Sequence, residues 1–239
     1  MTSFQKNPAT LFKYHVFSDI VPSIVHELKN PLSAITLGLE YFGLNLPESD
    51  PRKSAINNSS IAAEHINSLL DAMLMYCQNS GQPRQLIDLK DLAGKAISLT
   101  NYYVTRKGVS VAVAGSNNLP MIGGYGNHLL QAMVYLLVFF AGRVPQGGRI
   151  DLLFESGDGS VILRAVAPLA GELCPTDGPA ITAANGVNDG LLISEASRII
   201  HDDGGSLSAV TLDGGGAAYE MRLPVANAVS LYAGGPGHE

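Results

Sequence analysis

The run His26-Glu27-Leu28-Lys29-Asn30-Pro31-Leu32 holds the side chain best equipped for chemistry in these 239 residues. Imidazole is mostly neutral at pH 7 and nucleophilic at nitrogen, so an exposed one can take up a phosphoryl group and give it away again. The apolar residues around it, Phe17, Val21, Ile24, Leu28, Leu32, Ile35, Leu39 and Phe42, are separated by 4, 3, 4, 4, 3, 4 and 3 positions, which is the seam of a packed helix. His26 lies two residues from both Ile24 and Leu28, about 200° around the helix from each, and so opposite the seam and in water. Pro31 sits inside the same helix and has no N–H for the carbonyl of Glu27. An interior proline costs roughly 3 kcal/mol, an unusual penalty to place beside a surface histidine.

The elements that must hold this helix can be read from the pattern that follows. Gly43 to Ser49 is a short polar connection, and Asp50-Pro51 supplies an N-cap with a first-turn proline. Ser59, Ala63, Ile66, Leu70, Met73 and Cys77 then repeat at 4, 3, 4, 3 and 4, predicting a second helix antiparallel to the first. Such a hairpin has one apolar stripe per helix and no third partner of its own. It is expected to bury that surface against a second copy, as a homodimeric four-helix bundle.

Asn79-Ser80-Gly81-Gln82-Pro83 breaks the helical pattern, and a mixed α/β pattern begins beyond it. Ile87 to Leu89 and Val109 to Val113 read as strands, and Leu92 to Tyr103 and Leu129 to Ala141 as helices, the second of them buried. Arg149 to Glu155 and Ser160 to Val166 form a strand pair turned by Gly157-Asp158-Gly159. Gly190 to His201 is a helix, and Ser206 to Thr211 with Ala217 to Leu223 a last hairpin. The expected organisation is 1–83 for the helical hairpin, 84–226 for the α/β part and 227–239 for a frayed tail.

Composition narrows the partners. The net charge of −6 with no Lys or Arg cluster argues against nucleic acid and anionic membranes. Residues 1–12 lack the apolar core of a signal peptide, and Leu129 to Ala141 is about a third too short to span a bilayer. Cys77 and Cys174 are too few for a disulfide framework, and Cys77 falls on a helical stripe, so a reduced, cytoplasmic protein is expected. His15, His65, His128, His201 and His238 include no pair at the i, i+4 spacing of a zinc helix, and no metal site is expected.

The ten residues from His26 to Ile35 resemble the H-box of the HisKA family, the dimerisation and histidine-phosphorylation domain of two-component sensor kinases. Leu129-Leu130-Gln131, Pro145-Gln146-Gly147-Gly148 and His201-Asp202-Asp203-Gly204-Gly205, with the order of elements, resemble the GHKL (Bergerat-like) ATP-binding domain that follows it. The resemblance implies His26 as phosphoacceptor, Glu27 as the group that takes the histidine proton, and Asn30 as the group that orients water for phosphatase chemistry. Lys29 is expected to solvate the helix or steer an acidic response-regulator receiver rather than take part in chemistry, and Ser33 is expected to contact that receiver.

At the nucleotide site this sequence departs from the pattern. The resemblance implies two asparagines four residues apart on the helix before Pro-x-Gly-Gly, one for Mg²⁺ and one for the phosphates, and those positions are Tyr135 and Phe139. Neither offers the small oxygen donors that a hard cation wants. The adenine-reading aspartate becomes Pro168, its glycines become Ala170 and Glu172, and the glycine-rich turn becomes Asn188-Asp189-Gly190-Leu191-Leu192 with Gly190 alone retained. The expectation drawn from these losses is a degenerate nucleotide site and a dimeric histidine phosphotransfer protein of a phosphorelay. It would take phosphate from one receiver's aspartate and pass it to another, with no cofactor of its own and Mg²⁺ held by the receiver. An ATP-dependent sensor histidine kinase with a divergent nucleotide site and a non-catalytic dimeric scaffold are the alternatives.

Overall fold

The structure is a computed structural model and describes residues 8–77, 83–116, 118–169, 189–211 and 217–226, with side chains from residue 20 onward except at 189, 211 and 217. The chain divides into two compact units, Met1–Ser80 and Gly81–Glu239. The expected boundary at 83/84 falls three residues further on, and the expected tail 227–239 lies outside the described residues.

The first unit is a hairpin of two helices, α1 (Pro8–Asn45) and α2 (Pro51–Cys77). Asp50 starts α2 as its sequence foretells: Arg52 N donates to Asp50 Oδ1 at 2.9 Å, and the Arg52 guanidinium donates to the same carboxylate. That guanidinium holds the Asp50 carboxyl down at about 2. A carboxyl depressed in the fold supports it above its unfolded pKa of about 3.9 and loses that support as pH falls through its folded value. The protection of the Arg52 and Lys53 amides, taken against their intrinsic exchange at each pH, should therefore hold down to about pH 4 and fall towards pH 2, and Asp50→Asn should flatten that step.

The apolar seam of the hairpin divides in two. Val21, Val25 and Leu32 from α1 are buried against Ala63 and Leu70 from α2, with Met73, Leu74 and Cys77 packed onto the cluster. Ile24, Leu28, Ile35 and Phe42 lie on a neighbouring stripe and stay 45% to 61% exposed, as does Ile66 at 47%. The single stripe read from the sequence thus merges two faces, and it omits Val25, which is fully buried. One stripe closes the hairpin. The other is uncovered in the single chain. Cys77 lies on the inner side, where burial pushes its thiol up.

The second unit places three helices over one face of a mixed sheet. In chain order it runs β1 (Gln85–Ile87), α3 (Leu89–Arg106), β2 (Ser110–Gly115), β3 (Ile122–Gly124), α4 (Gly126–Arg143), β4 (Arg149–Gly157), β5 (Ser160–Ala167), α5 (Asp189–Asp202), β6 (Ser206–Thr211) and β7 (Ala217–Pro224). The main sheet has the order β2-β4-β5-β7-β6, with β2 and β4 parallel and the other pairs antiparallel, and β1 pairs with β3 apart from it. Alternation decides which side is covered. Ile150, Leu152, Phe154, Val161, Leu163, Ala165, Tyr219, Met221 and Leu223 point to the helices and are buried. The open side carries a charge ladder in which Arg164 joins Glu155 on β4 to Glu220 on β7, and Arg222 also holds Glu220. The Arg164 guanidinium keeps the Glu220 carboxyl low.

The turn between β4 and β5 is the two-residue type that Gly157-Asp158-Gly159 suggests, with Asp158 at φ 50° and Gly159 at φ 69°. The double glycine after α5 has a steric reason. Gly204 sits at φ 82°, and a Cβ on Gly205 would come within 2.5 Å of the Arg222 carbonyl oxygen. The sequence reading misses β3, and it starts the buried helix at Leu129, whereas α4 starts at Gly126 and takes in His128.

Candidate functional site

The histidine site stands on α1. His26, Glu27 and Asn30 are all exposed. Counting 100° per residue from Val25, which faces α2, places His26 and Asn30 within about 40° of each other, and Glu27 about 100° beyond His26 on the side away from α2. The hairpin fixes this: Val25 is seated in the core next to His26, so the helix cannot roll the imidazole inward without exposing the valine.

The expected receiver contacts fare differently from each other. Lys29 pairs with Asp71 of α2, so its ammonium ties the hairpin together across the rim of the core. Ser33 is exposed, and its hydroxyl donates to the Lys29 carbonyl at 2.8 Å. Thr36 repeats that pattern one turn on, donating to the Leu32 carbonyl at 3.0 Å. Such side-chain bonds suit a helix already opened by Pro31.

The nucleotide positions do not form one surface. Tyr135 is half-buried on α4, while Phe139 is fully buried and stacks edge-on with Phe140 and Tyr219 at 5.6 and 5.5 Å between ring centres. The Arg143 guanidinium covers the Phe139 ring at 5.0 Å. The residue four positions after Tyr135 therefore anchors α4 to the sheet rather than lining a pocket with it. An aromatic ring in that place does not fit Mg²⁺. Among the described residues no three His, Cys, Asp or Glu side chains converge to hold a metal ion. Pro168 is exposed at the end of β5, and Gly190 is buried in the first turn of α5. Ala170, Glu172 and Asn188 lie outside the described residues.

One charged cluster in the second unit was not foreseen. Asp203, 1% exposed, accepts from Tyr125 N at 3.0 Å, and Arg84 Nη1 lies 3.6 Å from the same oxygen. Arg84 Nη2 donates to the Gly123 carbonyl at 2.7 Å and to the Asp203 carbonyl at 3.2 Å, and the guanidinium lies 5.4 Å from the centre of the Tyr125 ring. Burial pushes the Asp203 carboxyl up, against the pull of Tyr125 N, Arg84 and His128. Arg84 Nε and Asp203 Oδ2 are buried without a hydrogen bond, and each such atom costs about 1–3 kcal/mol. Nothing local in the sequence marks the group, since Tyr125 and Arg84 lie 78 and 119 residues from Asp203.

No protein-family model matches the chain. The sensor histidine kinase ZraS of Escherichia coli O157:H7 is 24% identical over 211 residues, 86% of this chain and 46% of that protein. The adaptive-response sensory kinase SasA of Thermosynechococcus vestitus is 26% identical over 144 residues, 56% of this chain and 38% of that protein. The chain thus spans about half the length, or less, of these curated relatives. In fold, full-length ShkA in complex with AMPPNP superposes with a TM-score of 0.52 at 20% identity, over 88% of this chain and 46% of that one. The catalytic domain of histidine kinase ThkA gives 0.52 at 14% identity, over 60% of this chain and 97% of that one.

These relatives overturn the expectation of a phosphotransfer protein that does without ATP, because they are sensor kinases. Loss of the asparagine pair, the adenine-reading aspartate and two glycines removes particular donors without removing the likeness of the whole chain to kinases. The described helices α4 and α5 and the five-stranded mixed sheet are present in the order of the catalytic domains that superpose on this chain. Among the described residues no helix is long and apolar enough to cross a membrane. A match of 211 residues is longer than either unit, so it runs through the hairpin and the mixed sheet together. The chain is homologous to sensor histidine kinases.

Proposed function

We propose that the chain is the dimerisation and nucleotide-binding part of a sensor histidine kinase, in which ATP phosphorylates His26 and a response-regulator receiver takes the group onward. One observation carries the reading: His26 stands in solvent directly beside an exposed Glu27, in a chain homologous to sensor kinases. Attack on ATP leaves a proton on the other ring nitrogen, and the exposed carboxylate of Glu27 stands next to His26 in sequence to take that proton, while the homology to sensor kinases favours ATP as the donor. A ring nitrogen of His26 attacks the γ-phosphorus, the bond to the β-bridging oxygen breaks, and ADP leaves with that electron pair. Glu27 takes up the proton of the other ring nitrogen. Asn30, on the face of His26, orients a water when the phosphoryl group on a docked receiver is hydrolysed.

On this reading the nucleotide lies between α4 and α5, held by residues other than an asparagine pair, since the buried ring of Phe139 offers a metal no ligand. On the receiver side, Mg²⁺ belongs to the receiver's own acidic pocket. The uncovered stripe of Ile24, Leu28, Ile35, Phe42 and Ile66 supports a homodimer, and a reduced cytoplasmic setting agrees with the half-buried Cys77, a free thiol among the described residues.

The test is to incubate the whole chain with γ-labelled ATP, then with a pre-phosphorylated receiver, and to repeat both with His26→Ala. Acid-labile label from ATP alone, absent in the variant, is the expected result. Label from the receiver but none from ATP, or no label from either, overturns the reading.

A further inference from the structure

The Arg84–Asp203–Tyr125 cluster takes no part in the chemistry proposed above, and its place in the fold gives it a different use. Tyr125 is the N-cap of α4, and Asp203 follows the last residue of α5. The bond from Tyr125 N to Asp203 therefore joins the start of one helix to the end of the other, which makes α4 and α5 an antiparallel pair fastened at one end. Phe139 is 14 residues beyond Tyr125, and Gly190 is 13 residues before Asp203. At 1.5 Å per residue both stand about 20 Å from the fastening, at the same height along the pair. The proposed function puts the nucleotide at this height along the pair, where Phe139 itself turns inward to the sheet. A tilt of about 3° at the fastened end moves the far end by about 1 Å.

Arg84 wires this point to the chain's entry into the second unit. It is the second described residue of that unit, one position before β1, and it reaches β3, the α5–β6 turn and the Tyr125 ring at once. Its link to Asp203 is loose: the charged atoms are 3.6 Å apart, and one buried polar atom on each partner is left unbonded. An under-bonded buried pair is held by its surroundings and yields when they shift.

We propose that Arg84 and Asp203 form a latch at the closed end of the α4–α5 pair and set the opening at its far end. A pull on the chain at Arg84 then changes the spacing of the two helices at the end where the proposed function puts the nucleotide. The link to nucleotide rests on the kinase reading, and the latch itself does not. Both are positioning residues.

The experiment compares the whole chain with Arg84→Ala, Arg84→Lys and Asp203→Asn by amide hydrogen exchange and by phosphorylation at varied ATP. In Arg84→Ala, exchange is expected to quicken about tenfold at residues 125–130 and 198–203 while β4 and β5 keep their rates. Arg84→Lys and Asp203→Asn, which keep part of the bonding, should fall between. KM for ATP should rise about tenfold with kcat within about twofold. Faster exchange throughout the unit, or only at residues 83–87, overturns the latch. A fall in kcat at constant KM overturns its link to nucleotide. Should the unaltered chain take no label from ATP, the kinase reading fails, and the exchange pattern alone decides the latch.

Discussion

Replacing Glu27 with alanine should slow the labelling of His26 from ATP by about two to four orders of magnitude, the usual worth of a positioned general base. The fold should not change. Glu27 is exposed and makes no contact that the hairpin core needs, and alanine is at least as good a helix former, so far-ultraviolet circular dichroism should be unaltered. The pH profile carries the diagnosis. With the carboxylate gone, the ring proton must leave to water or buffer, so the residual rate should climb with pH and with added buffer base. Asn30→Ala supplies the contrast: labelling should stay within about threefold of the unaltered chain, while hydrolysis of phosphorylated receiver falls by about a hundredfold or more. A Glu27→Ala chain that labels within threefold of the original would show that the carboxylate takes no proton, and the role given to Glu27 in the attack on ATP would fall.

The parts of this fold that sequence reveals are those whose neighbours are close in the chain. Gly157-Asp158-Gly159 names the turn between β4 and β5 because the left-handed backbone there is a local demand. Asp50-Pro51 likewise starts α2 through a bond that spans two residues. What escapes is set at a distance. Ile122-Gly123-Gly124 has too little side chain to announce a strand, and it becomes one because Gln85–Ile87 pairs with it. Asp203 looks like one more polar residue in a loop, although its partners make it one of the most deeply buried charged groups described. Phe139 is a matter of direction: the pattern shows an aromatic residue where a donor was expected but not that its ring turns to Tyr219 on β7. The exposure of His26, Glu27 and Asn30 is legible, because one helix carries all three, whereas the pairing of Lys29 with Asp71 is set by α2 and is not.

The split seam of the hairpin leads to the other large effect: Leu28→Asp combined with Ile35→Asp should turn a dimer into a monomer. Both side chains lie on the uncovered stripe, at 50% and 56% exposure in the single chain, so a partner has apolar surface left to cover. Each substitution forfeits about 1 kcal/mol of that burial and adds roughly 1–3 kcal/mol for a carboxylate pressed into an apolar seam. A symmetric pair carries four such changes, a loss on the order of 10 kcal/mol. A nanomolar dimer is worth about 12 kcal/mol, so association would be gone at micromolar concentration. Sedimentation or light scattering reads the mass directly. Leu37→Asp is the control that separates the stripe from hydrophobicity in general. Leu37 is more exposed than either, at 68%, but lies about 160° around α1 from Ile35, on the histidine face. That variant should remain a dimer. If it dissociates and the paired variant does not, the copies meet through the histidine face, and His26 could not then be reached by a nucleotide or a receiver.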